Sequence, residues 1–414
     1  MKANKIFKVY SGLPRSIYIL FVVRVINALG AFVGPFITIF LSGKLGFNNE
    51  TIGFFIMANW ICMVPGSLLG GKICDIVGRK KIMIIFQFLS GLCYIPCGFL
   101  GISILVPYFL ILSSFFNSVA QPAYGAMVAD LTHKKNRKNA YSLLYLGVNL
   151  GFSIGPMIAG FLYNHYLKML FLGNSIAVFI SVAIIFLYIK ETKPDKVSEH
   201  KIINDNERAE KGSLISVLIK RPLLLSFSIF SVMYTFVYAL YPFCIPLQVN
   251  EIFKDAGPVV YGKIIAANAI TVIFFTTILI SITRKLSPIK NVALAGLFYA
   301  VGFGMMYFIT SFGMFVLATV IWTMGEIIHT TNSGVYIANH TPMSHRGRFN
   351  AVIPLISDVG FALGPAIIGM YIKGKRVIDA WPVAFLIATV TAGLFYSLSI
   401  LEKKKAVSLD SKVL

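Results

Sequence analysis

ADLTHKKNRKNAYSLLYLGVNLGFSIGPMIAGFLY, Ala129 to Tyr163, recurs as ANHTPMSHRGRFNAVIPLISDVGFALGPAIIGMYI, Ala338 to Ile372. One ungapped offset of 209 residues relates the two copies. It carries Thr132 to Thr341, Arg137 to Arg346, Gly151 to Gly360, Gly155-Pro156 to Gly364-Pro365 and Gly160 to Gly369. The same offset maps Gly53 to Gly262 and Asn59 to Asn268, which lie earlier in each half. Equal order and spacing over such a distance imply a duplicated chain. Parallel repeats related by an axis along the membrane normal are one transporter architecture.

Composition sets the class. Hydrophobic residues are 57% of the 414 and charged residues 13%. Apolar runs of about twenty residues recur along the chain, each long enough to cross a bilayer core of about 30 Å. Strands of a membrane barrel would instead show short alternating segments. The expectation is an all-α membrane protein of twelve transmembrane helices in two pseudo-symmetric six-helix halves.

A net charge of +21 invites a nucleic-acid reading, and the placement of the charges argues against it. With the spans assigned as below, 29 of the 37 Lys and Arg fall on one side of the membrane, six on the other and two within spans. That asymmetry marks the rich side as cytoplasmic. Membrane lipids with anionic headgroups are the expected partners of this charge, and no nucleic acid is expected. The five cysteines sit mostly within spans and lack metal-ligand spacing with histidines, so neither a metal site nor a cofactor is expected. The first apolar run is too long for a cleavable signal and is read as a retained span.

In chain order, a basic tail precedes span 1 (about 16–42), with Arg24 and Asn27, and span 2 (about 52–71). Spans 3 to 6 follow at about 82–102, 105–130, 140–163 and 169–189. Residues 190–222 are charged with both signs and read as a cytoplasmic linker. Spans 7 to 12 cover about 223–248, 259–282, 291–310, 313–337, 350–372 and 381–401. The expected domains are therefore 1–189, 190–222 and 223–401, with a basic tail over 402–414. Both termini are expected in the cytoplasm, and the protein in the plasma or inner membrane.

The loop after span 2 reads Gly71-x3-Asp75-x2-Gly78-Arg79-Lys80-Lys81. Its glycines permit a tight reversal and its basic run anchors topology. This loop resembles the signature of the major facilitator superfamily and matches every defined position. Twelve spans, a central linker and two halves extend the resemblance over nearly the whole chain. The resemblance implies that the loop is a conformational latch made by Gly71, Asp75, Gly78 and Arg79, with Asp75 meeting Arg137. The corresponding loop of the second half, TRKLSPIKN, has Arg284 at the Asp75 position and lacks the glycines, so the latch is expected on one side only.

Span 5 carries Gly151-x3-Gly155-Pro156-x2-Ala159-Gly160. Small residues four apart let two helices approach closely, and Pro156 bends the helix. The pattern resembles the antiporter motif of the drug:proton branch, though Ser142 and Ala159 stand where glycines are expected. A generic small-residue interface is the alternative.

Ionisable residues within spans are few, and each costs at least ~2.5 kcal/mol in hydrocarbon. Glu326, near the middle of span 10 in TMGEIIHTTNSG, is the sharpest candidate. The 209 offset pairs it with Asn117 of span 4. Asp358 and Arg24 sit at similar depth and are candidate partners in proton coupling or substrate binding, or a structural pair. His329 lies one turn from Glu326; a packing histidine is the plainer reading. Tyr234, Tyr238 and Tyr241 fill span 7, where some drug-pumping relatives carry an acid. Segments reading GE in span 10 and AMxxD at the end of span 4 resemble bacterial multidrug:proton antiporters, which implies a protonation and cation-binding role for the glutamate. No P-loop or nucleophile constellation appears, so no enzyme is expected. The expected activity is proton-coupled efflux of amphipathic or cationic small molecules by a monomer. Nutrient uptake or lipid translocation by the same fold is the alternative.

Overall fold

The computed structural model describes residues 10–133, 136–192, 221–340, 353 and 355–410. The side chains of Asp75, Lys138, Ala338 and residues 405–410 lie outside that set, as does most of 341–354. Every regular element among the described residues is helical. Among the described residues nine segments are long and apolar enough to cross a membrane; one of them, Pro222–Thr283, runs for 62 residues and contains two helices.

The chain divides into two compact units. Unit 1 comprises Met1–Lys196 and Val249–Ile273. Its helices are α1 (Arg15–Leu29), α2 (Val33–Ile39), α3 (Asn49–Val77), α4 (Arg79–Leu100), α5 (Val106–Leu131), α6 (Arg137–Phe152), α7 (Gly155–His165) and α8 (Leu167–Tyr188). Unit 2 comprises Val197–Gln248 and Phe274–Leu414. It holds most of α9 (Pro222–Phe253), the end of α10 (Gly257–Thr283), then α11 (Pro288–Met305), α12 (Phe312–His340), α13 (Val359–Tyr371) and α14 (Ala380–Asp410).

Spans 1 and 5 are each broken, and proline explains both breaks. In span 1, α1 stops at Leu29 and α2 starts at Val33. Pro35 has no N–H for the Ala31 carbonyl, and its ring crowds that carbonyl. The Asn174 side chain accepts from the Val33 N–H at 3.2 Å and so satisfies the new helix start. In span 5, Pro156 does the same to the Phe152 carbonyl, and Ser153 and Ile154 separate α6 from α7. By contrast α9 runs unbroken through Pro242 and Pro246.

Glycine sets the sharpest turn. α3 ends and α4 begins at Gly78, whose φ of 117° is closed to most residues. Small residues also set the helix spacing. A Cβ on Gly151 would lie 2.5 Å from the Ala28 Cβ, and one on Gly160 would lie 2.6 Å from the Pro258 carbonyl oxygen. The first contact seats α6 on α1; the second seats α7 on α10. Gly262 of α10 meets the Pro156 carbonyl in return, so this crossing is glycine-lined on both sides. In unit 2, Gly360 and Gly364 of α13 press on α9 at Val232–Phe236 and Phe236–Ala239.

Large apolar side chains face outward along the spans: Leu68 is 62% exposed, Phe99 70%, Ile282 69% and Phe308 72%. On a water-soluble protein such a surface would be an aggregation liability; around a helical bundle it is the lipid-facing belt. Inside unit 2, the fully buried Gln248 is satisfied at both ends. It donates to the Met306 carbonyl at 2.8 Å and accepts from Trp381 Nε1 at 2.7 Å. That bridge ties α9 to the end of the α11 segment and to α14.

Candidate functional site

Each unit contains a cavity with polar side chains in its lining. In unit 1 it measures about 280 Å³ and is lined by Arg24 and Asn27 of α1, Gln87 of α4, Asn117 and Gln121 of α5, and Asn174 of α8, among others. Arg24 lies mid-helix, with its guanidinium carbon 4.3 Å from the centre of the Tyr124 ring. Two of its N–H groups point to one oxygen, Gln121 Oε1, at 3.4 and 3.5 Å. Gln121 Nε2 in turn donates to Asn117 Oδ1 at 3.3 Å. The Tyr124 hydroxyl faces the amides of Gln87 and Asn27.

In unit 2 the cavity measures about 240 Å³ and is lined by Tyr234, Thr235, Tyr238, Tyr299, Glu326, His329, Thr330 and Phe361. Glu326 and His329 thus share one chamber, as their one-turn spacing predicts. Aromatic rings form its walls. Tyr234 packs edge-on against His329 at 5.4 Å and against Tyr299 at 5.6 Å; Tyr238 meets Tyr299, Trp322 and Phe361. The Tyr234 hydroxyl is spent on the Val292 carbonyl at 3.1 Å, so this tyrosine shapes the wall. Tyr241 packs at a tilt against Trp322, with ring centres 4.8 Å apart.

The offset of 209 relates the two linings residue by residue. Asn117 answers Glu326, Gln121 answers Thr330, Ser90 answers Tyr299, and Phe152 answers Phe361. Asp358 is not among the residues lining the Glu326 cavity. It is the residue before α13, and its carbonyl accepts from Ala362 at the helix start.

A third cluster lies where α3 turns into α4. Arg79 Nε donates to Asp130 Oδ2 at 3.0 Å, and Nη1 to the Cys74 carbonyl at 3.2 Å. The Thr192 hydroxyl also reaches Asp130, at 3.1 Å. Glu191 Oε1 accepts the backbone N–H of Arg79 at 2.8 Å and of Lys80 at 3.3 Å, which caps α4 with a carboxylate. A Cβ on Gly78 would stand 2.5 Å from Glu191 Oε2, so the glycine is needed for this seat as well as for its φ. Arg137 turns to the end of α5, donating to the Ala129 and Thr132 carbonyls at 3.0 and 3.1 Å. The expected Asp75–Arg137 contact involves an Asp75 side chain outside the described residues. Gly71 has open space around it. At the corresponding place in unit 2, neutral groups do the joining: Asn291 Nδ2 donates to the Thr283 carbonyl at 3.1 Å and to Asn332 Oδ1 at 2.9 Å.

Glu191 and Thr192 carry no motif and sit at the start of the polar linker. Gln87, Gln121 and Tyr124 had a usable signal, since amides within spans seldom face lipid.

These features define a class: a polytopic helical membrane protein with a cavity in each of two units, the two linings related by the 209-residue offset. The Major Facilitator Superfamily model matches residues 20–365, and the chain belongs to that family. It is similar to the Na(+), Li(+), K(+)/H(+) antiporter of Planococcus maritimus, 22% identical over 362 residues, 82% of this chain and 85% of that one. It is 29% identical over 175 residues to Multidrug resistance protein 2 of Bacillus subtilis (strain 168), covering 41% and 43% of the two chains. In fold it resembles a POT family transporter solved with 5-aminolevulinic acid, with a TM-score of 0.77 at 15% identity, covering 95% of this chain and 97% of that one. The chain is a transporter of this superfamily and not an enzyme.

Proposed function

We propose that the protein exports amphipathic or cationic small molecules in exchange for protons, by alternating access between two six-helix halves of a twelve-span chain. The twelve spans are α1–α2, α3, α4, α5, α6–α7, α8, α9, α10, α11, α12, the segment ending in α13, and α14. In this reading the protein sits in the plasma membrane with both termini in the cytoplasm, where the basic loops belong.

The observation that carries the proposal is Glu326 in a chamber walled by tyrosines. A carboxylate at that depth is costly unless it is neutral or faces a cation. Aromatic walls suit an organic cation, because ring faces attract positive charge. Proton and cation would then compete for one carboxylate, which is the minimal device for exchange. The antiporter and multidrug relatives support this direction of transport. The Arg79–Asp130–Glu191 cluster, with Asp75, would act as the latch holding one of the two states.

The test is transport in proteoliposomes with an imposed pH gradient and a panel of fluorescent organic cations. Uptake into inside-acidic vesicles that collapses with a protonophore supports exchange. Movement only with the proton gradient, in the same direction as the protons, would make the protein an uptake system.

A further inference from the structure

The unit 1 cavity has a chemistry the export of cations does not use. Its one charge is positive. Among the described residues no acid lies within ion-pair distance of Arg24, although a charge at mid-span costs at least ~2.5 kcal/mol. The other arginines of this unit show what a structural arginine does here. Arg79 spends its donors at 3.0 and 3.2 Å on Asp130 and the Cys74 carbonyl; Arg137 spends its own at 3.0 and 3.1 Å on carbonyls at the end of α5. Among the described residues Arg24 makes only two hydrogen bonds, both to a single side-chain oxygen, at 3.4 and 3.5 Å. Those lengths lie beyond the usual range of about 2.7–3.2 Å for N–H···O bonds. A guanidinium carries five N–H donors, so most of its capacity is unspent.

Its geometry is nonetheless fixed. The guanidinium carbon sits over the buried Tyr124 ring, 4.3 Å from its centre, and this cation–π contact holds the group in place. What remains for a ligand is the edge, the direction from which a planar carboxylate binds with two parallel bonds. The amides of Asn117 and Gln121 beside it can each donate or accept, and so adapt to the body of a bound molecule. A volume of about 280 Å³ is far more than a single ion fills and approaches the lower end of small-molecule sites.

We infer that the unit 1 cavity binds the carboxylate of an organic solute through the edge of the Arg24 guanidinium. Transported molecules therefore include carboxylates and zwitterions. This rests on the reading of the protein as a small-molecule exporter and names a substrate class for it. Gln121 is the placeholder that accepts from Arg24 when the carboxylate is absent.

The experiment is equilibrium binding to the full chain in nanodiscs, without any gradient, using 4-phenylbutyrate, 4-phenylbutyramide and 4-phenylbutylamine. The carboxylate should bind at least about tenfold more tightly than the amide, the worth of one good charged hydrogen bond. Arg24→Gln should erase that preference. Gln121→Glu, which adds an internal carboxylate beside an intact Arg24, should erase it too, so the outcome does not depend on one variant folding. Equal affinity for carboxylate and amide in the wild type would overturn the inference. So would survival of the preference in both variants, or displacement of phenylbutyrate by equimolar chloride or phosphate, which would mark an inorganic-anion site. Because no gradient is applied, these results stand apart from proton coupling, which is read from transport by Glu326 variants.

Discussion

Gly155 sits at the start of α7, where a Cβ would strike the Leu29 carbonyl oxygen and lie 3.0 Å from the Ala28 carbonyl oxygen. Both obstacles are backbone, in the last turn of α1. Nothing there can swing aside as a side chain would. Gly155→Ala should therefore cost about 1–3 kcal/mol, the usual range for overpacking, and Gly155→Leu more. Gly334 of α12 is the internal control, because a Cβ there meets nothing within 4 Å. Ala is favoured over Gly in a helix interior by about 0.8–1.0 kcal/mol, so Gly334→Ala should stabilise. The two substitutions are chemically identical and should move stability in opposite directions. The assay is thermal unfolding in nanodiscs, paired with a spin-label distance measurement across the unit. Gly155→Ala that stabilises, or matches Gly334→Ala, would refute the close-packing argument.

Asp130→Asn removes the charge from a partly buried pair with Arg79; we expect slowed turnover with ligand affinity kept, read from transport rate against equilibrium binding. Glu191→Ala strips the cap from α4 and should produce the same split, with loss of about 0.5–2 kcal/mol of stability by denaturation. Gln248→Leu leaves Trp381 Nε1 and the Met306 carbonyl buried without their partner; it should cost about 1–3 kcal/mol and lower expression of folded protein.

Residues that repeat or punctuate were legible in the sequence. The Gly-Pro copies announced the helix contacts of α7 and α13, and the 209 offset announced that Asn117 and Glu326 hold matching places. The same offset, carried four residues further, reaches Gln121 and Thr330. Contacts between distant, unpatterned residues were not legible. Asn174 capping α2 lies 141 positions from Val33, and Glu191 reaches back 112 positions to Arg79. Composition marks both only as polar, and only the packing of α8 against α1 and α4 brings them to their partners. The interruption of span 1 had a visible cause in Pro35, but unbroken α9 with two prolines shows that proline alone does not decide where a helix ends.

Glu326 is the residue proposed to couple proton movement to solute export. Glu326→Gln keeps the shape of the neutral acid and cannot release a proton. The measurement is gradient-driven transport of an organic cation by this variant, in proteoliposomes of known internal pH, beside solute exchange without a gradient. We predict that exchange of neutral solutes persists, cation affinity falls, and concentrative transport disappears at every pH. Full, pH-dependent concentrative transport by Glu326→Gln would contradict the account and remove Glu326 from the mechanism.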